Sequence, residues 1–597
     1  MKLSKLYSNQ PSVFHNVDFR EGLNVILAEA HLPGDKRENT HNLGKSTLGQ
    51  LLDYLLLSKK TKSFFLFKNY DLFKDFTFFL EISLQKNNYL TIRRSVKEAT
   101  KISFIHHTSA GQDFSNLPIH EWHHQNVSFE KAKKILDGLL NWKDIEPFTY
   151  RNLVGYLIRS QADYRNVFQL NYQRRQADWL PLIAELVGLD AKKVTLSYKK
   201  ESLIKEKGNE LNLLQTEIAG GRCNLATING LLKITREKEE KVRKQVDEFN
   251  FNSADKEETR SLIDDIDVRI SLLNERRYTL TLNKKRIEES LADHEIRFVS
   301  DQIEKVFREA KILFTGQIRR DFDQLIKFNK AITEERKGYL KEDLHDTQTE
   351  LDEVENNLKE LNQQRSNKLR FLAEEDVFEK YKTLSRQANK LALSVERLEN
   401  DRNQALSIDA KKDEILALTK ELEVLHQEIE KDVKQKSDDD NSIFCKIRSY
   451  FNQIIQFVIA RSGLLRVEMN KEGHLKFTAE ILDEQDLTTD ADRGHSFHKL
   501  LCVAFDLALL LAHRDRDFPR FVFHDGVFES LDDRTKENLL TVMRNLAKDG
   551  LQIIVTVIDS DIPPRVPGDS PFFSKDEVVV TLHDDGESGR LFKMPPW

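Results

Sequence analysis

The sequence predicts an α/β protein in which the two ends of the chain build one domain and a long helical hairpin lies between them. Strand-like apolar runs alternate with helical patterns at both ends of the 597 residues. All 12 prolines fall within residues 11–181 or 519–596. The intervening span 182–518 therefore lacks the residue that breaks helices most strongly, and it carries apolar residues at heptad spacing.

Composition excludes several classes of protein. Charged residues make up 32% of the chain, yet the net charge is −6, which indicates a mixed-sign solvated surface and no polybasic tail. Cys223, Cys445 and Cys502 lack metal-site spacing and suggest no disulfide framework, which indicates a reducing compartment. No apolar run reaches the roughly 18 residues of a membrane helix, and MKLSKLYSNQ lacks a signal-peptide core. We therefore expect a cytoplasmic protein without a membrane partner.

The N-terminal segment, residues 1–190, is predicted to hold a phosphate-binding loop. The stretch ENTHNLGKST at 38–47 lies between a predicted strand and a predicted helix, which is the context such a loop requires. Lys45 is expected to reach the β- and γ-phosphates of ATP, and Ser46 to bind Mg²⁺. Asn39 replaces the usual first glycine, and asparagine adopts left-handed backbone conformations better than most residues. The residues expected to hold the nucleotide are Asn39, Asn42, Leu43, Gly44, Lys45, Ser46 and Thr47.

Residues 191–435 are predicted to form an antiparallel coiled-coil hairpin with its apex near 305–335. Two heptad-bearing halves flank a break, so each arm holds roughly 100 residues and spans about 150 Å if unbroken. A parallel coiled coil between two copies of the chain is the alternative. The heptad positions include Ile266, Leu273, Leu280 and Ile287 in the first half and Leu344, Leu351 and Leu358 in the second.

The C-terminal segment, residues 436–597, is predicted to complete the domain. A short hairpin, an apolar helix at 495–513 and apolar strands at 520–525, 551–558 and 577–582 follow one another. Asp525 ends the first of these strands, where a phosphate-binding loop needs a distant carboxylate for Mg²⁺. Asp532 follows seven residues later in the sequence SLD.

Together these motifs resemble those of the SMC/RecN/RecF class of ABC ATPases. NLGKSTL resembles the Walker A loop, YLIRSQADY (156–164) the Q-loop, and FHDGVFESLD the Walker B strand with its D-loop. THNLGKST, GHSFHKLLCVAFDLALL and FHDGVFESLD are also similar to the ATPase component of bacterial three-component ABC (Lamassu-like) anti-phage defence systems. The resemblance covers roughly residues 1–190 and 440–597. It implies an ABC/SMC-type P-loop ATPase head, assembled from both halves, that uses ATP and Mg²⁺.

The resemblance also implies roles for individual residues. Gln161 would sense the metal and the attacking water, and Asp532 would belong to the D-loop beside the nucleotide. The start of the helix at 495–513 would contact the γ-phosphate held by the opposite head, although SGG is absent. Its anion-binding residues are Arg493, Gly494 and Ser496, and the implied metal ligands are Ser46, Gln161 and Asp525.

Two catalytic positions depart from the family pattern. Gly526 stands where a glutamate normally activates water, and Glu529 is the nearest replacement base. Val557 stands where the switch histidine belongs, with Asp559 or Ser560 as its substitute. A missing base or water-positioning group costs orders of magnitude in rate, so slow turnover stimulated by DNA or a partner is expected.

The function implied is an ATPase that forms a homodimer through its heads, engages double-stranded DNA and controls a separate effector in anti-phage defence. A small accessory subunit and an effector subunit, such as a nuclease, would be its protein partners. The alternatives are a non-hydrolysing ATP-binding scaffold, a RecN/RecF-type DNA-repair ATPase, and a structural coiled coil with a chance GKS. Candidate contacts to DNA phosphates are Arg93, Arg94, Arg174, Arg175, Lys192 and Lys193.

Overall fold

The computed structural model describes residues 1–29, 43–217, 224–249, 254–292, 316–370, 375–482, 495–565 and 570–597. They form two compact units: Met1–Gly208 with Ile415–Trp597, called the α/β unit, and Asn209–Glu414, called the helical unit. The predicted α/β class with long intervening helices is confirmed. Within the described ranges, no helix combines the length and hydropathy of a membrane span.

Most strands lie at the strand-like runs of the sequence, whereas β7 and the two-residue β8 were not predicted. In chain order they are β1 Lys2–Ser8, β2 Val17–Asp18, β3 Leu23–Glu29, β4 Thr77–Gln85, β5 Asn88–Ser95, β6 Lys101–His107, β7 His124–Ser128, β8 Ile158–Arg159, β9 Gly463–Met469, β10 Leu475–Ile481, β11 Phe521–His524, β12 Gln552–Ile558 and β13 Val578–His583.

The helices include several that are far longer than those of a typical globular domain. They are α1 Lys45–Leu55, α2 Phe65–Lys68, α3 Tyr70–Phe73, α4 Phe129–Leu140, α5 Tyr150–Leu157, α6 Gln176–Leu186, α7 Ala191–Glu217, α8 Leu225–Asp247, α9 Ala254–Ala292, α10 Gly316–Arg370, α11 Glu375–Asp438, α12 Ile443–Ile459, α13 His495–Ala512 and α14 Asp533–Lys548.

A parallel sheet in the order β13-β3-β12-β11-β8 positions the candidate site. Its strands come from both ends of the chain, since β12 pairs with β3 from Ile553↔Leu23 to Ile558↔Ala28. Parallel strands are covered on both faces, which explains why β11 and β12 are apolar nearly throughout. The carboxyl ends of the strands meet at one edge of the sheet, where ligands bind in open α/β folds.

An antiparallel sheet, β2-β1-β4-β5-β6-β7, packs into the same apolar core. The prediction that Arg94 contacts DNA phosphates is wrong, because its side chain is wholly buried on β5. Its guanidinium donates to the carbonyls of Tyr54, Ser58 and Ala99. Two other cations that the sequence predicts to contact DNA phosphates form ion pairs within the chain. Arg175 pairs with Asp178, and Lys193 pairs with Asp190 and Glu428.

Within the helical unit, α9 and α10 run antiparallel. Arg276 pairs with Glu350, whereas the earlier Asp267 pairs with the later Arg365. The coiled coil is therefore an antiparallel pair of helices within one chain, and not a parallel coiled coil between two copies. The predicted apex near 305–335 lies partly outside the described residues, and α10 covers it from Gly316 onward. The apolar seam consists of Ile266, Ile270, Leu280, Leu351, Val354 and Leu358.

A buried ion pair joins β8 to α13 inside the α/β unit. The Arg159 guanidinium donates from Nε and Nη2 to the two carboxylate oxygens of Asp506, each at 2.7 Å. The two side chains are 0% and 2% exposed. Arg159 also donates to the carbonyls of Asp163, Asn166 and Val167, so the guanidinium is well satisfied and orders the chain after β8.

Removal of one partner from this pair should strongly destabilise the α/β unit. We expect Asp506→Ala to lower its free energy of unfolding by about 3–5 kcal/mol, since Arg159 would remain buried without its counter-charge. Urea unfolding followed by tryptophan fluorescence measures this, because all four tryptophans lie in that unit.

Asp178→Ala is the matched control, because it breaks an exposed arginine–aspartate pair. That change should cost about 1 kcal/mol or less. Equal effects of the two variants would contradict a structural role for the buried pair.

Candidate functional site

The start of α1 has the geometry of an anion site. Gly44 adopts φ 99°, and α1 begins at Lys45 without a side-chain cap among the described residues. The first N–H groups of a helix have no partner within the helix, so they can donate to an anion. A Cβ at Gly44 would lie 2.7 Å from Leu591 Cβ, so only glycine fits. The predicted nucleotide contacts Asn39 and Asn42 lie outside the described residues.

Lys45 is placed beside the predicted acidic residues. Its side chain is buried, and this burial lowers its pKa, while the charges of Glu529 and Asp525 oppose the shift. Ser46 is exposed on the first turn of α1 and Thr47 is half-buried. Leu43 is buried, and its carbonyl accepts from the Leu591 N–H at 3.0 Å. The sheet thus brings Lys45 and two distant carboxylates to one edge.

Asp525 follows β11 and is held by groups on two neighbouring strands. Its Oδ1 accepts from the Thr556 hydroxyl at 2.7 Å, and its backbone N–H donates to the Arg159 carbonyl at 3.1 Å. The same Thr556 hydroxyl accepts from the Gly526 N–H at 2.8 Å. Sequence reasoning missed Thr556, which lies in the middle of an apolar strand and has no motif of its own.

Gly526 leaves room for the Glu529 carboxylate. Glu529 Oε1 accepts from Gln161 Nε2 at 2.8 Å. A Cβ on residue 526 would lie 2.6 Å from that oxygen and 2.7 Å from that nitrogen, and the backbone there has φ 63°. The turn therefore requires glycine at 526 and presents Glu529 at the sheet edge. Gln161 and Glu529, which the sequence singles out separately, are in direct contact.

Lys499 on α13 is a second residue that sequence reasoning missed. Its ammonium donates to the carbonyls of Gly526 at 2.7 Å and Glu529 at 3.1 Å, and lies 3.8 Å from Glu529 Oε2. Burial lowers the pKa of Lys499. Burial raises the pKa of Glu529, and Lys499 and Lys45 partly oppose that rise. The available signal was the presence of Lys499 and Asp506 as charges inside an otherwise apolar helix.

The position of the missing histidine is buried. Val557 is 1% exposed on β12, so it presents no polar group to the edge. A short 3₁₀ helix, Asp559–Asp561, follows this strand. The charges of Asp561 and Asp559 in this helix oppose the lowering of the Lys45 pKa, and the charge of Asp561 also acts on the pKa values of Lys499 and Glu529.

Two further predicted residues, Ser496 and Asp532, line a different cleft of about 420 Å³. Ser496 donates to the Ser530 carbonyl at 2.7 Å, and Asp532 caps α14 by accepting from the Thr535 N–H. Arg461 and Arg534 lie in the same cleft. Arg493 and Gly494 are outside the described residues. Ser496 and Asp532 are thus in the same cleft, which is separate from the one that Lys45 lines.

Comparisons with known proteins give one family match and several structural ones. Residues 454–596 match a family model described as an uncharacterised protein conserved in bacteria (DUF2326). No curated protein matches the chain.

Similar solved structures include SMC head domains. One is the Smc head domain with a coiled coil and joint from Pyrococcus yayanosii, at 16% identity and TM-score 0.34, covering 93% of this chain and 92% of that one. Another is the Smc head with an extended coiled coil bound to the C-terminal domain of ScpA from Pyrococcus furiosus, at 13% identity and TM-score 0.31, covering 94% and 90%.

Replacement of Glu529 should stabilise the protein at neutral pH. A carboxylate whose pKa is raised in the folded state costs stability above that pKa and costs nothing once it is protonated. We therefore expect Glu529→Gln to raise the melting temperature at pH 8 by a few degrees at most, because glutamine keeps the shape without the charge.

The gain should shrink as the pH falls towards the ordinary carboxyl value of about 4.3. Calorimetric melting of both proteins across this range measures the difference. Glu587→Gln, at an exposed position, is the control and should show no such trend. A Glu529→Gln protein that melts below the parent at pH 8 would contradict the argument.

Proposed function

We propose that the chain is an SMC-like ATPase that hydrolyses ATP with Glu529 as the base. The observation that carries this proposal is the hydrogen bond from Gln161 to Glu529 above Gly526. This hydrogen bond holds the Glu529 carboxylate at the edge of the sheet, although the residue after the Walker B aspartate is glycine. The raised pKa of Glu529 suits a group that must accept a proton from water.

The residues around α1 fit Mg²⁺–ATP. The uncapped helix start and the Lys45 ammonium would hold the phosphates, and the Ser46 hydroxyl with the Asp525 and Gln161 side chains would hold the metal. When bound, the metal would polarise the transferring phosphoryl group. Lys499 on α13 and Gln161 after β8 both contact the Glu529 carboxylate, so together they would fix its direction.

We further propose that two copies associate through their α/β units. The cleft that contains Ser496, Asp532, Arg461 and Arg534 has the polar and cationic groups to meet a phosphate presented by a second chain. The resemblance implies this arrangement, in which each chain completes the site of the other. Arg493 and Gly494 belong to the same proposed contact.

The wider role follows from the resemblance. We propose a cytoplasmic ATPase that engages double-stranded DNA and controls a separate effector in anti-phage defence, with a small accessory subunit. A RecN/RecF-type role in DNA repair is the alternative. Of the residues predicted to contact DNA phosphates, Arg174, Arg175 and Lys192 are exposed, and Arg175 is paired with Asp178.

A non-hydrolysing scaffold is the second candidate. The observation that favours it is the burial of Val557, which leaves no histidine at the position that normally switches on hydrolysis. In that case ATP would act only as a ligand that joins two chains. Binding and turnover must therefore be measured separately.

Turnover should depend on Lys45 and Glu529 in different ways. We expect the purified chain to hydrolyse ATP slowly and faster with linear double-stranded DNA, and Lys45→Ala to abolish both binding and turnover. Glu529→Gln should bind ATP normally and lose about 10²–10⁴-fold in rate, the usual contribution of a general base.

Steady-state phosphate release and equilibrium ATP binding are the two measurements. Glu537→Gln, another carboxylate of the C-terminal half, is the control. A Glu529→Gln enzyme as fast as the parent would exclude Glu529 as the base. ATP binding with turnover no higher than Lys45→Ala, with or without DNA, would favour the scaffold.

A methyl group at Gly526 should uncouple binding from hydrolysis. Gly526→Ala places a Cβ against both Glu529 Oε1 and Gln161 Nε2. We expect the displaced carboxylate to cost about 10²-fold in turnover, as misplacement of a catalytic group does, while the ATP affinity changes little.

Gly550→Ala is a matched control for backbone strain. Gly550 has φ 92°, and an added Cβ there would meet no atom within 4 Å. It should leave turnover unchanged at a comparable conformational cost. A Gly526→Ala enzyme with normal turnover would show that the Gln161–Glu529 contact is unnecessary.

A further inference from the structure

The cavity beside the phosphate-binding loop has a second wall, formed by residues 590–597. This cavity of about 220 Å³ is lined by Leu43–Thr47 on one side and by Arg590, Phe592, Pro596 and Trp597 on the other. The Leu591 N–H donates to the Leu43 carbonyl, and the Leu591 carbonyl accepts from the His15 N–H at 2.9 Å. The segment is therefore attached directly to the loop that would hold phosphates.

Trp597 presents a supported but accessible aromatic ring to this cavity. Its ring meets Phe73 edge-on, with centroids 4.9 Å apart, and Phe592 likewise at 5.4 Å. Phe592 is buried, whereas Trp597 remains 41% exposed. Phe65 stacks on one face of the Trp597 ring, with centroids 6.2 Å apart, so the other face is the one that can stack against a flat ligand in the cavity.

Arg590 adds a cation to the same wall. Its Nη1 donates to the Met594 carbonyl at 3.3 Å. Its Nε is enclosed and has no hydrogen-bond partner among the described residues. Because Arg590 lines the cavity, the rest of its guanidinium can meet an anionic or oxygen-rich ligand there. The cavity thus combines an aromatic ring, a guanidinium and the open N–H groups of α1.

We propose that residues 590–597 form the base subsite of the nucleotide site, with the base stacked on Trp597 and Arg590 directed at the ribose or phosphates. The proposal rests on nucleotide binding at Lys45. Stacking accepts every base because each has a π-face, so the ligand class is a nucleoside triphosphate and the ring itself does not select adenine. The segment therefore contributes affinity that the phosphates alone do not provide.

The test compares a ligand that has a base with one that lacks it. Calorimetric titration with Mg²⁺–ATP and with Mg²⁺–tripolyphosphate is applied to the full chain, to Trp597→Leu and to Trp597→Phe. We expect Trp597→Leu to weaken ATP binding by about 5- to 100-fold, the range of one base–aromatic stack, and to leave tripolyphosphate binding unchanged. Trp597→Phe should retain most of the ATP affinity, because phenylalanine also stacks.

Two further variants separate this proposal from the one on which it rests. Lys45→Ala should lose both ligands, and a parent chain that binds neither would contradict the nucleotide site itself. Tyr70→Ala is the matched control, since Tyr70 is an aromatic residue of similar exposure, 38%, that does not line the cavity. It should bind both ligands as the parent does.

Three results would overturn the base subsite while leaving nucleotide binding intact. Unchanged ATP affinity in Trp597→Leu would show that the ring contacts no base. Equal losses for ATP and tripolyphosphate would show that the segment only shapes the loop. Tighter ATP binding would show that the segment blocks the cavity. If Trp597→Leu does not fold, Trp597→Met takes its place, because methionine also lacks an aromatic ring on which a base can stack.

Discussion

Arg159 and Asp506 face each other in the interior of the α/β unit, and the parts of the candidate site are built on the elements that they join. The guanidinium fixes the chain that leads to Gln161, and the carboxylate fixes α13, which carries Lys499. The Arg159 carbonyl also holds the Asp525 N–H. A buried ion pair contributes little net stability, because desolvation offsets the attraction. Its effect here is to specify how the segment after β8 lies against α13 and β11, which are remote from it in sequence.

Residue 526 is glycine and not the glutamate of the family pattern, so a carboxylate must reach the edge of the sheet from another position. Glu529 lies three residues further along the turn, and its side chain occupies the space that a Cβ at 526 would fill. Lys499 then compensates part of the cost of burying that carboxylate. These four residues must be considered together, because the glycine, the glutamate, the glutamine and the lysine each constrain the position of the others. In our proposal this set replaces the usual pairing of aspartate and glutamate.

Much of the fold could be predicted from the sequence because its signals are local. Alternation in β4–β6, unbroken apolar runs in β11 and β12, and heptads in α9 and α10 each depend on residues close together in the chain. The positions of Lys45, Asp525 and Glu529 followed from motif spacing. Thr556, Lys499 and Asp561 could not be found in that way, because their importance comes from contacts between segments. Arg94 was misinterpreted for the same reason: a cation on a strand has no sequence mark of burial.

The pairing of β3 with β12 has a consequence for how the molecule is made. Ile553 must find Leu23 across more than five hundred residues, and contacts of such sequence separation form slowly. During synthesis the N-terminal strands emerge long before their partners, with apolar edges that invite association with other chains. The antiparallel pairing of α9 with α10 depends on nearer residues and can form first. By shortening the loop that remains to be closed, it would lower the entropic cost of joining the two ends of the chain.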